Sequence, residues 1–155
     1  MKKKIDVQEA LGGAPRPHYM VGNAEYTQDG SRHLLRGSVN FTSIDEHISI
    51  KDRADKYLPN PHVNAGDVCF AVWNGAHIIG DILGYKERTL VNEVRVVPIK
   101  MIPPDTLLTL EVIATERERK TDRNQRSYDL GSLNGRLSLN GELLAEVFAN
   151  YFVRK

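Results

Sequence analysis

His62-Val63-Asn64-Ala65-Gly66-Asp67-Val68-Cys69-Phe70-Ala71-Val72-Trp73-Asn74 opens the stretch whose reading decides the fold, and it runs on through Gly75-Ala76-His77-Ile78-Ile79-Gly80-Asp81-Ile82-Leu83 to Gly84. Asn64 can cap a helix, and Asp67, three residues on, places a carboxylate where the helix dipole favours one. Beyond it Val68, Phe70, Val72, Trp73, Ile78, Ile79, Ile82 and Leu83 put apolar side chains on nearly every face, as in a helix enclosed by other structure. Asn74, Gly75, His77, Gly80 and Asp81 interrupt the run, which is too short and too polar to span a bilayer. A central core helix is expected.

Outward from it, the chain reads as strands. His18 to Thr27 and Arg32 to Thr42 flank Gln28-Asp29-Gly30-Ser31, and Asp-Gly is a strong hairpin signal. After the helix come Thr89 to Val97, Thr106 to Thr115 and Arg126 to Leu139, and Asn140-Gly141 turns the last of these into Glu142 to Val153. Pro98 to Asp105 holds three prolines and must be a connection. Ser43 to Pro61, polar and closed by two prolines, reads as a long loop with a short helical piece around Ile50 to Lys56. Glu116 to Arg126 alternates in charge sign without aromatics and reads as a solvated hairpin end. Two strands, a buried helix and four strands are most simply packed as an antiparallel sheet wrapped around the helix, the α+β hotdog layout. Its open edge and partly covered helix lead to an expected homodimer or dimer of dimers. Residues 1–16 read as a loose arm, and 17–155 as a single domain.

Composition narrows the function classes. A domain of 155 residues buries roughly 70% of the surface of its unfolded chain, and 41% hydrophobic with 26% charged residues is ordinary for a globular fold. A formal charge of +1 gives no field toward nucleic acid or an anionic membrane, so neither is an expected partner. Met1-Lys-Lys-Lys-Ile-Asp is basic but is not followed by the apolar run of a signal peptide. Cys69, the only cysteine, cannot form an intrachain disulfide, and a reduced cytoplasm is the expected location.

The chemistry is narrowed in the same way. Histidines 18, 33, 47, 62 and 77 lack metal-ligand spacing, so neither metal nor cofactor is implied. There is no Gly-x-Ser-x-Gly elbow and no phosphate-cradling loop, and a thiol inside an apolar helix such as Cys69 is an inert one. What remains is Arg53 to Asp67, a polar loop that delivers side chains to a helix start. There the N–H groups of Ala65, Gly66 and Asp67 and the helix dipole can receive a carbonyl oxygen as it becomes negative.

Gly37-x-x-Asn40-Phe41-Thr42, then Tyr57, then His62-Val63-Asn64-Ala65 at the helix start with Trp73-Asn74 further along it, resembles the FcoT-like branch of hotdog acyl thioesterases. The motifs cover residues 18 to 85. The branch includes long-chain acyl-CoA thioesterases and natural-product enzymes acting on carrier-protein thioesters, some of which add glycine to an enoyl thioester before hydrolysis. The resemblance implies functional roles for Asn64 and Tyr57, for Asn74 as a second asparagine, and for Tyr19 by location. The middle position of the His-aromatic-Asn-Ala motif is Val63 here, and the loop after Thr42 is longer than the family's.

Each residue also has a plainer reading. Asn64 can be a cap, an oxyanion ligand or both. Tyr57 can anchor the loop or hold the thioester or the attacking water. His62 can stiffen the loop or act as general base, and Asp67 can be a helix-end carboxylate or the alternative base. Asn74 must satisfy its amide either internally or on substrate. Arg53 and Lys56 are solvated or meet phosphates of a pantetheine carrier or a substrate carboxylate. The expected activity is hydrolysis of an acyl thioester of coenzyme A or acyl carrier protein. The alternatives are an enoyl hydratase or 3-hydroxyacyl dehydratase, which needs a base with an acidic partner, and a non-catalytic acyl-binding domain.

Overall fold

The computed structural model describes residues 1–42, 63–85 and 89–154, the side chains of Thr89 and Leu90 excepted. Arg53, Lys56, Tyr57, His62 and the short helical piece around Ile50 to Lys56 therefore lie outside the described residues. The chain runs β1 (Lys2–Asp6), α1 (Val7–Ala10), β2 (Met20–Asp29), β3 (Arg32–Asn40), α2 (Ala65–Ile82), β4 (Thr89–Pro98), β5 (Leu107–Thr121), β6 (Ser127–Leu139) and β7 (Glu142–Arg154).

Among the described residues, seven strands form one antiparallel sheet in the order β1-β2-β3-β5-β6-β7-β4. Alternation sets its inner face: Leu108, Leu110, Val112 and Ala114 of β5 are buried, as are Val147, Ala149, Tyr151 and Val153 of β7. The two tight hairpins stand where their turn residues place them. Gly30 follows β2 at φ +56°, and Asn140-Gly141 joins β6 to β7 with both residues in the left-handed region, at φ 51° and 81°.

Helix α2 lies across the inner face and buries Val68, Ala71, Val72, Gly75, Ile78 and Ile79. The seat is close. A Cβ at Gly75 would come within 2.5 Å of Val112 Cγ2, and one at Gly135 would overlap Val72. The enclosure expected from the apolar residues all round the helix is only one-sided, however. Phe70 is 39% exposed, and Trp73 and His77 are half-buried on the same open flank.

One further expectation is corrected. Residues 1–16 are not a loose arm: β1 pairs with β2 in register Lys2 to Thr27, and Val7 and Leu11 are buried in the core. Their i, i+4 spacing puts both on one side of a short helix. Strand β4 does not neighbour β5 but forms the far edge beside β7, so the proline-rich connection crosses the end of the sheet. On the way Ile99 N donates to Leu144 O at 2.9 Å, Val63 N donates to Ile102 O at 3.0 Å, and Asp105 N donates to Phe41 O at 2.9 Å. The crossing thereby fixes the residue that precedes the cap of α2.

Candidate functional site

The start of α2 is a reciprocal cap. Asn64, in extended backbone, accepts from Asp67 N through Oδ1 at 2.9 Å, while Asp67 Oδ2 accepts from Asn64 N at 3.1 Å. Asp67 is buried and Asn64 half-buried. The cap reading of Asn64 is thus observed; its side-chain N–H remains chemically distinct from the capping oxygen. Ala65 and Gly66, the first two helical residues, carry N–H groups that have no intrahelical acceptor.

One turn beyond this end, from Phe70 onward, a cavity of about 460 Å³ runs along the open flank of α2. Phe70, Trp73, His77 and Gly80 line it, closed on one side by Gly13 to Pro15 and at the far end by Tyr85 and Val91. Helical periodicity places Gly66, Phe70, Trp73, His77 and Gly80 within about 80° of one another around the axis. The exposed first-turn N–H of Gly66 and the apolar groove therefore share one helix face. Gly66 also leaves room for the cap, since a Cβ there would lie 3.1 Å from Asn64 Oδ1.

Asn74 borders the same cavity, and its amide is used internally. Oδ1 accepts from Tyr19 N at 2.7 Å and from Met20 N at 3.4 Å, and Nδ2 donates to Pro17 O at 3.2 Å. It ties the middle of α2 to the entry of β2. Tyr19 is buried, its ring 4.8 Å from that of Phe41. Cys69 is half-buried, and desolvation pushes its thiol pKa up, away from the nucleophilic thiolate.

A second polar constellation, not anticipated from the sequence, lies beneath the opposite end of α2, about 27 Å from the cap along an 18-residue helix. Tyr26 OH and His33 Nδ1 are 2.7 Å apart, His33 Nε2 is 3.3 Å from Glu116 Oε1, and Tyr85 OH donates to the same oxygen at 3.3 Å. A carboxylate only accepts, so His33 Nε2 donates to Glu116 Oε1, and Nδ1 shares a hydrogen bond with Tyr26 OH. Both ring nitrogens are engaged. Burial, and then the Glu116 charge, raise the pKa of Tyr26 and Tyr85; Tyr151 is raised for the same two reasons. Glu116, read as part of a solvated hairpin end, instead anchors this cluster with a half-exposed carboxylate; beyond it Arg119 and Asp129 pair at 2.9 Å on the surface. The available signal was alternation: Leu108, Leu110, Val112, Ala114 and Glu116 all take the inward positions of β5.

Among the described residues no group of three or more His, Cys, Asp and Glu could hold a metal ion, and no helix is long and apolar enough to cross a membrane.

No family model matches the chain, and no curated protein matches it in sequence. Solved structures do match. A protein from Helicobacter felis aligns at TM-score 0.53 and 11% identity over 96% of this chain and 87% of its own. A provisionally assigned thioesterase from Lactococcus lactis aligns at 0.52 and 7% over 85% and 91%. A thioesterase superfamily protein aligns at 0.50 and 17% over 84% of this chain and 52% of its own, so this chain spans about half that protein's length. The likeness is one of fold: the single antiparallel sheet packed on one long helix is the hotdog fold of thioesterase-superfamily proteins.

Proposed function

We propose that the chain hydrolyses an acyl thioester carried on coenzyme A or acyl carrier protein. The observation that carries the reading is the shared face of α2, where an apolar groove of about 460 Å³ begins at Phe70, one turn beyond first-turn N–H groups without an intrahelical acceptor. In this reading the acyl chain lies against Phe70 and Trp73. The carbonyl oxygen meets the N–H groups of Ala65 and Gly66, where the helix dipole favours the charge that develops on it. Asn64 Nδ2 and Tyr57 position the carbonyl and a water, and His62 takes the water's proton. The water oxygen bonds to the carbonyl carbon, the C–S bond breaks, and the thiol leaves with a proton. A second copy of the chain over the open flank would close the groove into a tunnel.

The test is free-thiol release from a panel of acyl and 2-enoyl thioesters on both carriers, with and without glycine, the products being identified by mass spectrometry. Hydrolysis that falls about 100-fold or more when Asn64 loses its side-chain N–H supports the reading. A glycine-containing product would assign the enoyl-processing branch, while tight binding without turnover would make this an acyl-binding domain.

A further inference from the structure

Beneath the C-terminal half of α2 the groove meets a smaller cavity of about 40 Å³, and Ala76, Gly80, Tyr85 and Val91 line both. A Cβ at Gly80 would find nothing within 4 Å, so the missing side chain leaves the junction open. The walls of the small cavity are aliphatic apart from two phenols, Tyr85 and Tyr151. Tyr85 OH already donates to Glu116. The hydroxyl of Tyr151 has no hydrogen-bond partner among the described residues, although the residue is only 7% exposed.

That placement is built in. Gly131 stands directly opposite Tyr151 in the sheet, and a Cβ on it would overlap the Tyr151 ring and hydroxyl. The ring therefore lies across the glycine, with its polar end over β6. A buried phenol without a partner is unfavourable unless something else supplies one. Gly80 is 14 residues beyond Gly66, about 21 Å along the helix, so a group reaching Tyr151 belongs to the far end of a long chain whose head lies at the cap.

We propose that Tyr151 is a terminal recognition group of the groove and that the ligand is a long acyl chain bearing a hydroxyl near its far end. A hydroxyl both donates and accepts, as the phenol does. A carboxylate would meet the Glu116 charge, and any charged end would be desolvated among aliphatic walls. The assignment of head and tail rests on the thioester reading; the recognition of the hydroxyl does not.

The experiment measures binding of free ω-hydroxy fatty acids and matched unsubstituted acids by calorimetry, in wild type, Tyr151→Phe and Gly80→Leu, with kcat/KM on the corresponding thioesters alongside. Wild type binds the hydroxylated chains about tenfold more tightly, one buried hydrogen bond's worth. Tyr151→Phe keeps its affinity for unsubstituted chains, loses the preference and melts no lower than wild type. Gly80→Leu loses long chains of both kinds and keeps short ones. Equal affinity in wild type, a preference that survives Tyr151→Phe, or a Tyr151→Phe protein that melts lower because it lost an internal hydrogen bond would each overturn the proposal. A hydroxyl preference in binding without turnover of any thioester would leave the subsite standing and remove the hydrolase reading.

Discussion

Asn64 and Asp67 hold each other across the first turn of α2, each side chain accepting from the other's backbone N–H, at 2.9 and 3.1 Å. Structural and chemical roles of Asn64 are thereby separable atom by atom, because the cap uses Oδ1 and the proposed substrate contact uses Nδ2. Asn64→Asp keeps a capping oxygen, so its denaturation midpoint should stay near wild type while thiol release falls by about 100-fold or more. Asn64→Ala should lose activity and also about 1 kcal/mol of stability in urea titrations. Full activity in the aspartate variant would reduce Asn64 to a cap.

Asn74 joins α2 to the entry of β2 through Tyr19 N, Met20 N and Pro17 O. Asn74→Leu leaves buried backbone groups without partners and is expected to cost about 2–4 kcal/mol in denaturant unfolding. Asn74→Asp retains the acceptor for Tyr19 N but turns a carboxylate toward the Pro17 carbonyl, so it too should destabilise the chain. If Asn74 serves substrate alone, both variants would unfold at the wild-type midpoint.

Gly75 and Gly80 lie on one helix but should respond oppositely to a methyl group. Gly75→Ala drives a Cβ into Val112 and is expected to destabilise by about 1–3 kcal/mol. Gly80→Ala meets open space and should raise stability by up to about 1 kcal/mol through helix propensity. Thermal melts of the two variants decide the matter by sign.

Leu11 distinguishes a docked N-terminus from a loose one. It is buried against the core, so Leu11→Ala should cost about 2–5 kcal/mol, whereas the same change in a solvated arm would be close to neutral. Equilibrium unfolding in urea provides the measurement.

The tyrosines around Glu116 set an alkaline limit. Tyr26, Tyr85 and Tyr151 have folded pKa values above the ordinary phenol value of 10.0, chiefly through burial and then through the Glu116 charge. A raised pKa means that folding disfavours the phenolate. The associated stability is complete below pH about 10 and is lost as pH rises from there through the folded pKa values. Denaturation midpoints across that range should decline. Glu116→Gln keeps an acceptor for Tyr85 and removes the negative charge, so its decline should be shallower, and an identical slope would show that the Glu116 charge does not act on these phenols.

Much of the fold was legible because its signals are local. Asn64 and Asp67 are three residues apart, and a cap is built from the residues that make the turn. Gly30 and Asn140-Gly141 mark their hairpins because the left-handed backbone is tolerated best by these residue types. Glu116 opens a charged segment whose composition is that of a solvated hairpin end, yet the alternation of β5 turns its side chain inward, toward His33.

By itself the sequence determined the capped helix, the hairpins and the alternating strands, since each depends on backbone preferences and side-chain periods within a few residues. Only the tertiary structure decided that β4 crosses to the far edge, that Lys2–Asp6 add a strand at the other edge, and that His33 meets Glu116 across a separation of 83 residues. It also decided that Asn74 faces the backbone of β2, 54 and 55 positions away. The physical reason is that strand order, and the burial of a polar group beside its partner, are properties of the assembled sheet, where distant segments compete for the same edge and the same face.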